Sequence, residues 1–172
     1  MTNNLIIVDV QPSYDKYCYK VVPDLIKYLN NNKHSNILYF FNGQDVCLDT
    51  KHDVIHYLLD NNLNEQIVEQ IVFVEKTYAF FRGWMDTNID DETIISTGKR
   101  MIEQYINDSR EIDLNFDTKE VLYIPDFISF DYFKSFNNSL VCGGGRDECL
   151  KEMTLLMDML DIKHKLIEEL VY

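Results

Sequence analysis

Short apolar runs recur along the chain, and each one stops at polar or turn-forming residues. The first two, Leu5–Val8 and Asn36–Phe41, are apolar almost throughout, which is typical of strands buried on both faces. Asn42-Gly43 after the second run is a strong turn signal. The strands predicted from such runs are Leu5–Val8, Asn36–Phe41, Gln70–Val74, Glu120–Ile124, Ser139–Cys142 and Lys163–Val171.

Segments with helical spacing of apolar residues lie between these runs. They are Tyr17–Leu29, His52–Leu59, a stretch from Asp90 to about Ile106, and Asp147–Leu160. Strands that alternate with helices imply parallel strands joined by right-handed crossovers. We therefore predict an α/β fold, a three-layer sandwich with a mainly parallel, Rossmann-like sheet. No repeat or linker divides the chain, so residues 1–172 are expected to form a single domain.

Composition narrows the function classes. The 172 residues carry a formal net charge of −13, which repels phosphate backbones and anionic lipid. We expect a small-molecule ligand rather than nucleic acid or a membrane, and the sequence leaves open whether the chain forms a homo-oligomer. The four cysteines form no CxxC pair, which favours a reducing, cytoplasmic location. Frequent Ile, Asn, Lys and Asp hint at an AT-rich viral or phage genome, in which case the location is the host cytoplasm.

Several polar residues stand at predicted strand ends, where ligands gather in parallel α/β folds. Asp9 ends the first strand, and partial desolvation there would make its carboxylate a better base. An Asp that only caps the following turn is the alternative interpretation. Lys76 follows the third strand and could hold a carboxylate charged or favour a thiolate, although a solvated surface lysine is also typical. Asn42 ends the second strand and, with Gln11, is a predicted substrate contact.

The segment from Val141 to Leu150 carries the richest pattern. Gly143, Gly144 and Gly145 allow positive φ angles and close approach of a ligand, and Arg146 follows them. Cys149 falls in the first turn of the next helix, where a helix dipole lowers a thiol pKa and free N–H groups could form an oxyanion hole. Asp147 and Glu148 count against an unassisted thiolate, since negative neighbours raise a thiol pKa. The alternative is a tight strand–helix junction with a small buried cysteine.

An aromatic segment follows Lys76. Phe80, Arg82 and Trp84 could wall a pocket for a flat ligand, with Arg82 pairing an anionic group, or they could be ordinary core. For metals, His52 and His56 stand at i, i+4 near Asp45 and Asp49, but no HExxH pattern is present. We therefore predict neither a metal nor another cofactor.

Three of these stretches together resemble the cysteine hydrolase superfamily that includes isochorismatase and nicotinamidase. They are the strand ending in Asp9-Val10-Gln11, Lys76 with aromatics soon after it, and Cys149 opening a helix after a small-residue turn. The resemblance implies one isochorismatase-like domain with an Asp9–Lys76–Cys149 triad. Asp9 would take the thiol proton, Lys76 would balance charge, and Cys149 would attack a carbonyl, with backbone N–H groups near Glu148 and Cys149 holding the oxyanion. Asp45-Val46-Cys47 lacks the histidine of the nicotinamidase metal pattern.

Three functions follow as hypotheses. The first is a metal-independent cysteine hydrolase acting on a small amide, ester or similar metabolite. The second is a non-catalytic nucleotide- or phosphate-binding module that uses the Gly143–Gly145 turn and the helix N-terminus. The third is a metal-dependent phosphoryl-transfer or nuclease-like enzyme using Asp9 and Asp126, which the acidic composition disfavours for nucleic-acid substrates.

Overall fold

A five-stranded parallel sheet forms the centre of the computed structural model, which describes residues 4–43, 47–76, 85, 88–108 and 130–172, with side chains of 104–108 and 130 left aside. The strands stand in the order β3-β2-β1-β4-β5, and all pairs are parallel. This confirms the predicted Rossmann-like α/β sandwich. The strands are β1 Asn4–Val8, β2 Asn36–Asn42, β3 Ile71–Lys76, β4 Ser139–Gly143 and β5 His164–Leu166.

Helices cover both faces of the sheet. Those in the described residues are α1 Asp15–Cys18, α2 Val22–Asn31, α3 Lys51–Asp60, α4 Glu65–Val68, α5 Asp91–Asp108, α6 Phe130–Lys134 and α7 Cys149–Met159. Single-turn 3-10 segments, Pro12–Tyr14 and Glu168–Leu170, add to them. No helix among these is long and apolar enough to cross a membrane.

The core divides into two clusters because successive strand residues point to opposite faces. Leu5 and Ile7 of β1 pack on the face that α2 and α3 cover. Ile6 and Val8 pack on the other face, against α5, α6 and α7. Both pairs are fully buried, so β1 is the central strand of a three-layer sandwich. Its continuous apolar run therefore arises from burial on both faces, as the sequence predicted.

Side-chain caps fix several helix starts. Thr50 and Asp53 form a capping box at α3, with the Thr50 N–H donating to Asp53 at 2.8 Å. Asn64 accepts from the Gln66 N–H at 2.9 Å and starts α4, a short helix that the apolar spacing did not predict. These caps define the boundaries more sharply than hydrophobic spacing does.

Two predicted elements differ from the structure. The helix expected over Tyr17–Leu29 is split into α1 and α2, because Pro23 lies in the first turn of α2 and favours a new helix start there. The strand expected over Lys163–Val171 is paired only along β5. After Ile167 donates to Val141 O at 2.9 Å, the chain turns inward and buries Leu170. The strand predicted over Glu120–Ile124 lies outside the described residues.

Candidate active site

The central strand ends at a crevice between its two neighbours. From β1 the chain builds β2 and β3 on one side of the sheet and then crosses to β4 and β5 on the other. The loops after β1 and β4 therefore diverge, which is the usual place for a ligand in such sheets. Asp9 follows β1 at this point, and the glycine turn follows β4.

Asp9 is held rigidly at the end of β1. Its side chain is 0% exposed, and its N–H donates to Phe40 O at 2.9 Å. Its φ of 52° lies in the left-handed region, which Asp tolerates better than most residues. At this strand end the carboxylate of Asp9 meets a cation.

Lys76, the last residue of β3, supplies that cation. Its ammonium forms a direct ion pair with Asp9 Oδ2, and the lysine is only 4% exposed. Burial is the largest single effect on the pKa of Lys76 and lowers it, but the negative charges of Asp9, Cys149 and Glu152 and the hydrogen bond to Asp9 together outweigh burial, so the pKa is raised. The ammonium form is therefore stabilised beneath the crevice.

Cys149 is the first residue of α7 and is partly buried beside this pair. Burial is the largest cause that raises the pKa of its thiol to about 12, and the charge of Asp9 and a hydrogen bond to Asp9 add to it. Lys76 acts in the opposite direction. The lowered thiol pKa that the helix N-terminus suggested is therefore wrong: burial, Asp9 and Glu152 together outweigh Lys76, so the protonated thiol is favoured.

The geometry leaves one carboxylate oxygen for the thiol proton. Asp9 Oδ2 is engaged by Lys76, whereas the buried Oδ1 has no hydrogen bond of ordinary length to any described residue. Cys149 lies beside this carboxylate, whose negative charge raises the pKa of the thiol. Proton transfer from Cys149 to Asp9 is thus the chemistry that the arrangement allows.

Glu152 is a second carboxylate that sequence reasoning missed. It is 2% exposed, and it lies one turn after Cys149 on the same side of α7. Its negative charge raises the pKa of both Lys76 and Cys149. The signal available in the sequence was the i, i+3 spacing from Cys149 next to the apolar stripe of the helix.

The glycine turn is required by close packing. A Cβ at Gly143, where φ is 79°, would lie 2.4 Å from Val8 O. A Cβ at Gly144, where φ is 62°, would lie 3.0 Å from the backbone N of Leu150. Gly143 therefore allows the end of β4 to pack against the end of β1, and Gly144 allows the start of α7 to pack against the turn. Together these contacts place Cys149 beside Asp9.

The expected oxyanion hole is only partly available. The Glu148 N–H donates to Gly145 O at 3.0 Å, and the Leu150 N–H donates to the same oxygen at 3.2 Å. These two amides are satisfied within the turn, which corrects the expectation that Glu148 contributes. The Cys149 N–H carries no hydrogen bond in the described part of the chain, so it is the amide that could bind a developing oxyanion.

A cavity of about 810 Å³ opens in front of Cys149. Its lining is made by α1 with its flanking residues, by the loop before α7 and by the last residue of the chain, namely Tyr14, Lys16, Tyr17, Tyr19, Lys20, Gly145, Arg146, Asp147, Glu148, Cys149 and Tyr172. Of the predicted substrate contacts, Gly145 and Arg146 belong to this lining. Phe80, Arg82 and Trp84 lie outside the described residues.

Gln11 and Asn42 support the site from behind the cavity. Gln11 is 0% exposed; its Nε2 donates to Asn42 O at 2.8 Å and to Asp49 Oδ2 at 2.7 Å, and its Oε1 accepts from Asn42 N at 2.8 Å. Asn42 in turn donates to the Tyr14 hydroxyl at 3.2 Å. Neither Gln11 nor Asn42 lines the cavity, so their place is in the network that holds Tyr14.

Tyr172 closes the other side and was also missed. Its hydroxyl donates to Asp9 O at 2.7 Å, and its N–H donates to Gly144 O at 3.3 Å. Burial raises the pKa of this hydroxyl well above its usual range, so it remains a donor. Nothing in the local sequence pattern indicated that the last residue returns to the first strand end.

No group of three or more His, Cys, Asp or Glu in the described residues could hold a metal ion. The rings of His52 and His56 lie 4.2 Å apart, but Asp49 accepts from Gln11 and Ser13 instead. Asp45 and Asp126 lie outside the described residues.

No protein-family model, curated protein or solved structure matches this chain. The geometry around Asp9, Lys76 and Cys149 is what indicates the chemistry of this site.

Proposed function

We propose that the protein is a cysteine hydrolase that acts on a small amide, ester or similar metabolite, without a metal, through Asp9, Lys76 and Cys149. The observation that supports this most directly is the buried Asp9–Lys76 ion pair beside the half-buried Cys149 thiol, at the edge of a cavity. A nucleophile, a base and a charge-balancing cation are the parts that acyl transfer by a thiol needs.

The proposed reaction begins with the neutral thiol. As Cys149 Sγ attacks the acyl carbon, its proton moves to the Asp9 carboxylate, so no free thiolate needs to accumulate at a pKa of about 12. Lys76 keeps its positive charge and stabilises the negative charges that lie near it. The Cys149 N–H donates to the carbonyl oxygen as that oxygen becomes negative.

The intermediate then collapses, and the leaving amine or alcohol takes the proton that Asp9 received. This leaves a thioester on Cys149 and a carboxylate on Asp9. Water next attacks the thioester, gives its proton to Asp9, and releases the carboxylic acid product. The final proton transfer from Asp9 to Cys149 restores the starting state, so each turnover consumes one water.

The test is acylation of the protein by an activated ester. Incubation with 4-nitrophenyl acetate at pH 8, followed by intact and peptide mass spectrometry, is expected to give one acetyl adduct at Cys149 that decays on dilution. Cys149→Ala should abolish both the adduct and turnover while circular dichroism is unchanged. If no adduct forms on Cys149, or if Cys149→Ala retains turnover, the proposed function is refuted.

Cys142→Ala is the matched control. Cys142 is fully buried on the α2 and α3 face of the sheet, whereas Cys149 packs against the opposite core. The Cys142→Ala variant is therefore expected to retain acylation at Cys149. Equal loss in both variants would indicate a folding effect instead of loss of the nucleophile.

A further inference from the structure

We propose that the substrate of this site carries an anionic group away from its acyl carbon, and that Lys16 and Lys20 on the α1 wall of the cavity bind it. The inference depends on the proposed function, because it concerns what Cys149 acylates. It adds a charge requirement and an orientation to a reaction that the triad alone leaves unspecified.

The first argument is the location of the cations. Lys16 and Lys20 both line the cavity in front of Cys149, and both are exposed. They occur in a chain with a net charge of −13. In such a chain, cations gathered on one wall of a cavity give that wall a field opposite in sign to the average of the protein, which attracts anions.

The second argument is that aromatic rings hold these lysines over the cavity wall. Lys16 Nζ lies 4.5 Å from the ring centroid of Tyr17, and Lys20 Nζ lies 5.6 Å from that of Tyr19. Tyr17 and Tyr19 are 56% and 53% exposed, and both line the cavity. They offer faces for the uncharged part of a bound molecule.

The third argument is the distribution of charge across the cavity. Asp147 and Glu148 lie on the wall beside Cys149, and Arg146 is already paired with Glu168 at 2.6 Å. An anionic group is therefore repelled from the acids near the thiol and attracted by Lys16 and Lys20. This polarity orients a substrate with its acyl carbon at Cys149 and its anion at Lys16 and Lys20.

The cavity size sets a limit on the substrate. A volume of about 810 Å³ is within the range of pockets that enclose drug-sized ligands, and exceeds what a simple amide needs. A ring or chain between the acyl carbon and the anion would fill it. A carboxylate and a phosphate share the required charge, and the test includes both.

The first measurement compares two alkylating reagents at Cys149 at pH 8.5. Iodoacetate and iodoacetamide have the same reacting carbon, but only iodoacetate is anionic. The ratio of the iodoacetate rate to the iodoacetamide rate is expected to fall about fivefold in Lys16→Gln/Lys20→Gln, because two positive charges that act through water over several ångströms are removed. The same ratio should fall in the native protein when 0.5 M NaCl screens those charges. Lys163→Gln, at the opposite edge of the sheet, should leave the ratio unchanged.

The second measurement does not use the thiol. Phenyl phosphate and benzoate are added to the Cys149→Ala chain, with phenol and inorganic phosphate as the separate ring and anion. A rise in Tm with phenyl phosphate or benzoate that is lost on adding Lys16→Gln/Lys20→Gln supports the proposal, and the stronger of the two identifies phosphate or carboxylate. If inorganic phosphate alone raises Tm as much as phenyl phosphate does, and the lysine substitutions remove that rise, the result also supports the anion site.

The outcomes separate the two proposals. If Cys149 is acylated but neither the rate ratio nor the Tm responds to the lysine pair, the anion site is overturned and the hydrolase stands. If Tm responds in the Cys149→Ala chain while the native protein forms no acyl adduct, the anion site stands and the hydrolase is refuted.

Discussion

Replacing Asp9 with Asn should make Cys149 more reactive toward a simple alkylating agent while it abolishes turnover. Asp9 raises the pKa of the Cys149 thiol through its charge and as a hydrogen-bond acceptor. Asn removes the charge and keeps the left-handed backbone at this position, which Asn adopts readily. The variant therefore lacks the proposed base but has a more acidic thiol.

The size of the effect follows from the thiol pKa. At a pKa of about 12, roughly one thiol in ten thousand is ionised at pH 8. Burial is the largest cause of the elevation, so Asp9 accounts for only part of the rise from 9.0 to about 12. If Asp9 contributes about a third of it, the ionised fraction rises about tenfold. Alkylation should then accelerate by about the same factor.

Stability has to be followed in the same experiment. Removing one partner of a buried ion pair is expected to cost about 3–5 kcal/mol, because Lys76 is left charged and buried. The double variant Asp9→Asn/Lys76→Met removes both charges and should recover part of that loss in urea unfolding. It provides a folded control that also lacks the base.

The assay measures the iodoacetamide rate at Cys149 by peptide mass spectrometry, beside hydrolysis of 4-nitrophenyl acetate, on variants that circular dichroism shows to be folded. Faster alkylation with lost hydrolysis is the expected pair of results. Slower alkylation in Asp9→Asn would refute the assigned direction of the Asp9 effect on the thiol. Retained hydrolysis would refute Asp9 as the proton acceptor.

Three further predictions concern the surroundings of this pair. Glu152→Gln should accelerate alkylation of Cys149 less than Asp9→Asn does, because Glu152 is the weaker of the two acids that raise the thiol pKa; a slower rate would contradict this. Gly143→Ala should lower the free energy of unfolding in urea by more than about 2 kcal/mol, because a Cβ there meets Val8 O at 2.4 Å and φ is 79°; a neutral result would contradict the packing. Finally, the folded chain keeps the Cys149 proton up to a pKa of about 12, whereas the ordinary thiol value is 9.0, so this group lowers stability by about 1.4 kcal/mol per pH unit between those values. Cys149→Ala should reduce the alkaline slope by about that amount between about pH 10 and pH 11, where the unfolded thiol is ionised and the folded one is not, and an unchanged slope would contradict the elevated pKa.

The fold and the contact between Asp9 and Lys76, which are far apart in the sequence, could be predicted because both depend on where the strands lie and where they end. Buried apolar runs marked β1 and β2, and polar residues such as Asp9 and Lys76 marked where two of the strands stop. Parallel strands place those ends on one edge of the sheet, whatever the distance along the chain. The sequence alone was sufficient for this step.

The electrostatic state of Cys149 could not be predicted in the same way. A helix N-terminus lowers a thiol pKa, and that rule was applied without knowing how deeply the thiol is buried or which acids face it. Asp9 and Glu152 act on it from different elements, and burial has the largest effect. Such terms depend on three-dimensional packing, which the local pattern at Cys149 does not contain.

Tyr172 was missed for a related reason. The pattern over Lys163–Val171 suggested continuous strand, whereas the chain turns after β5 and returns to Asp9 through the Tyr172 hydroxyl. The hydrogen bond that decides this path joins residues 163 positions apart in the sequence. No local spacing can indicate a contact of that kind.

The ion pair beneath the crevice also couples the edge of the sheet to its centre. β3 is an edge strand in the described sheet, and its last residue, Lys76, reaches past β2 to Asp9, which follows β1. Fraying of that edge would withdraw Lys76, leave Asp9 buried without its cation, and disable the site before the rest of the sheet opens. The rate of hydrogen exchange at the β3 amides would then measure how often the Asp9–Lys76 pair is broken. A ligand that slows this exchange would stabilise the edge strand and keep the pair together.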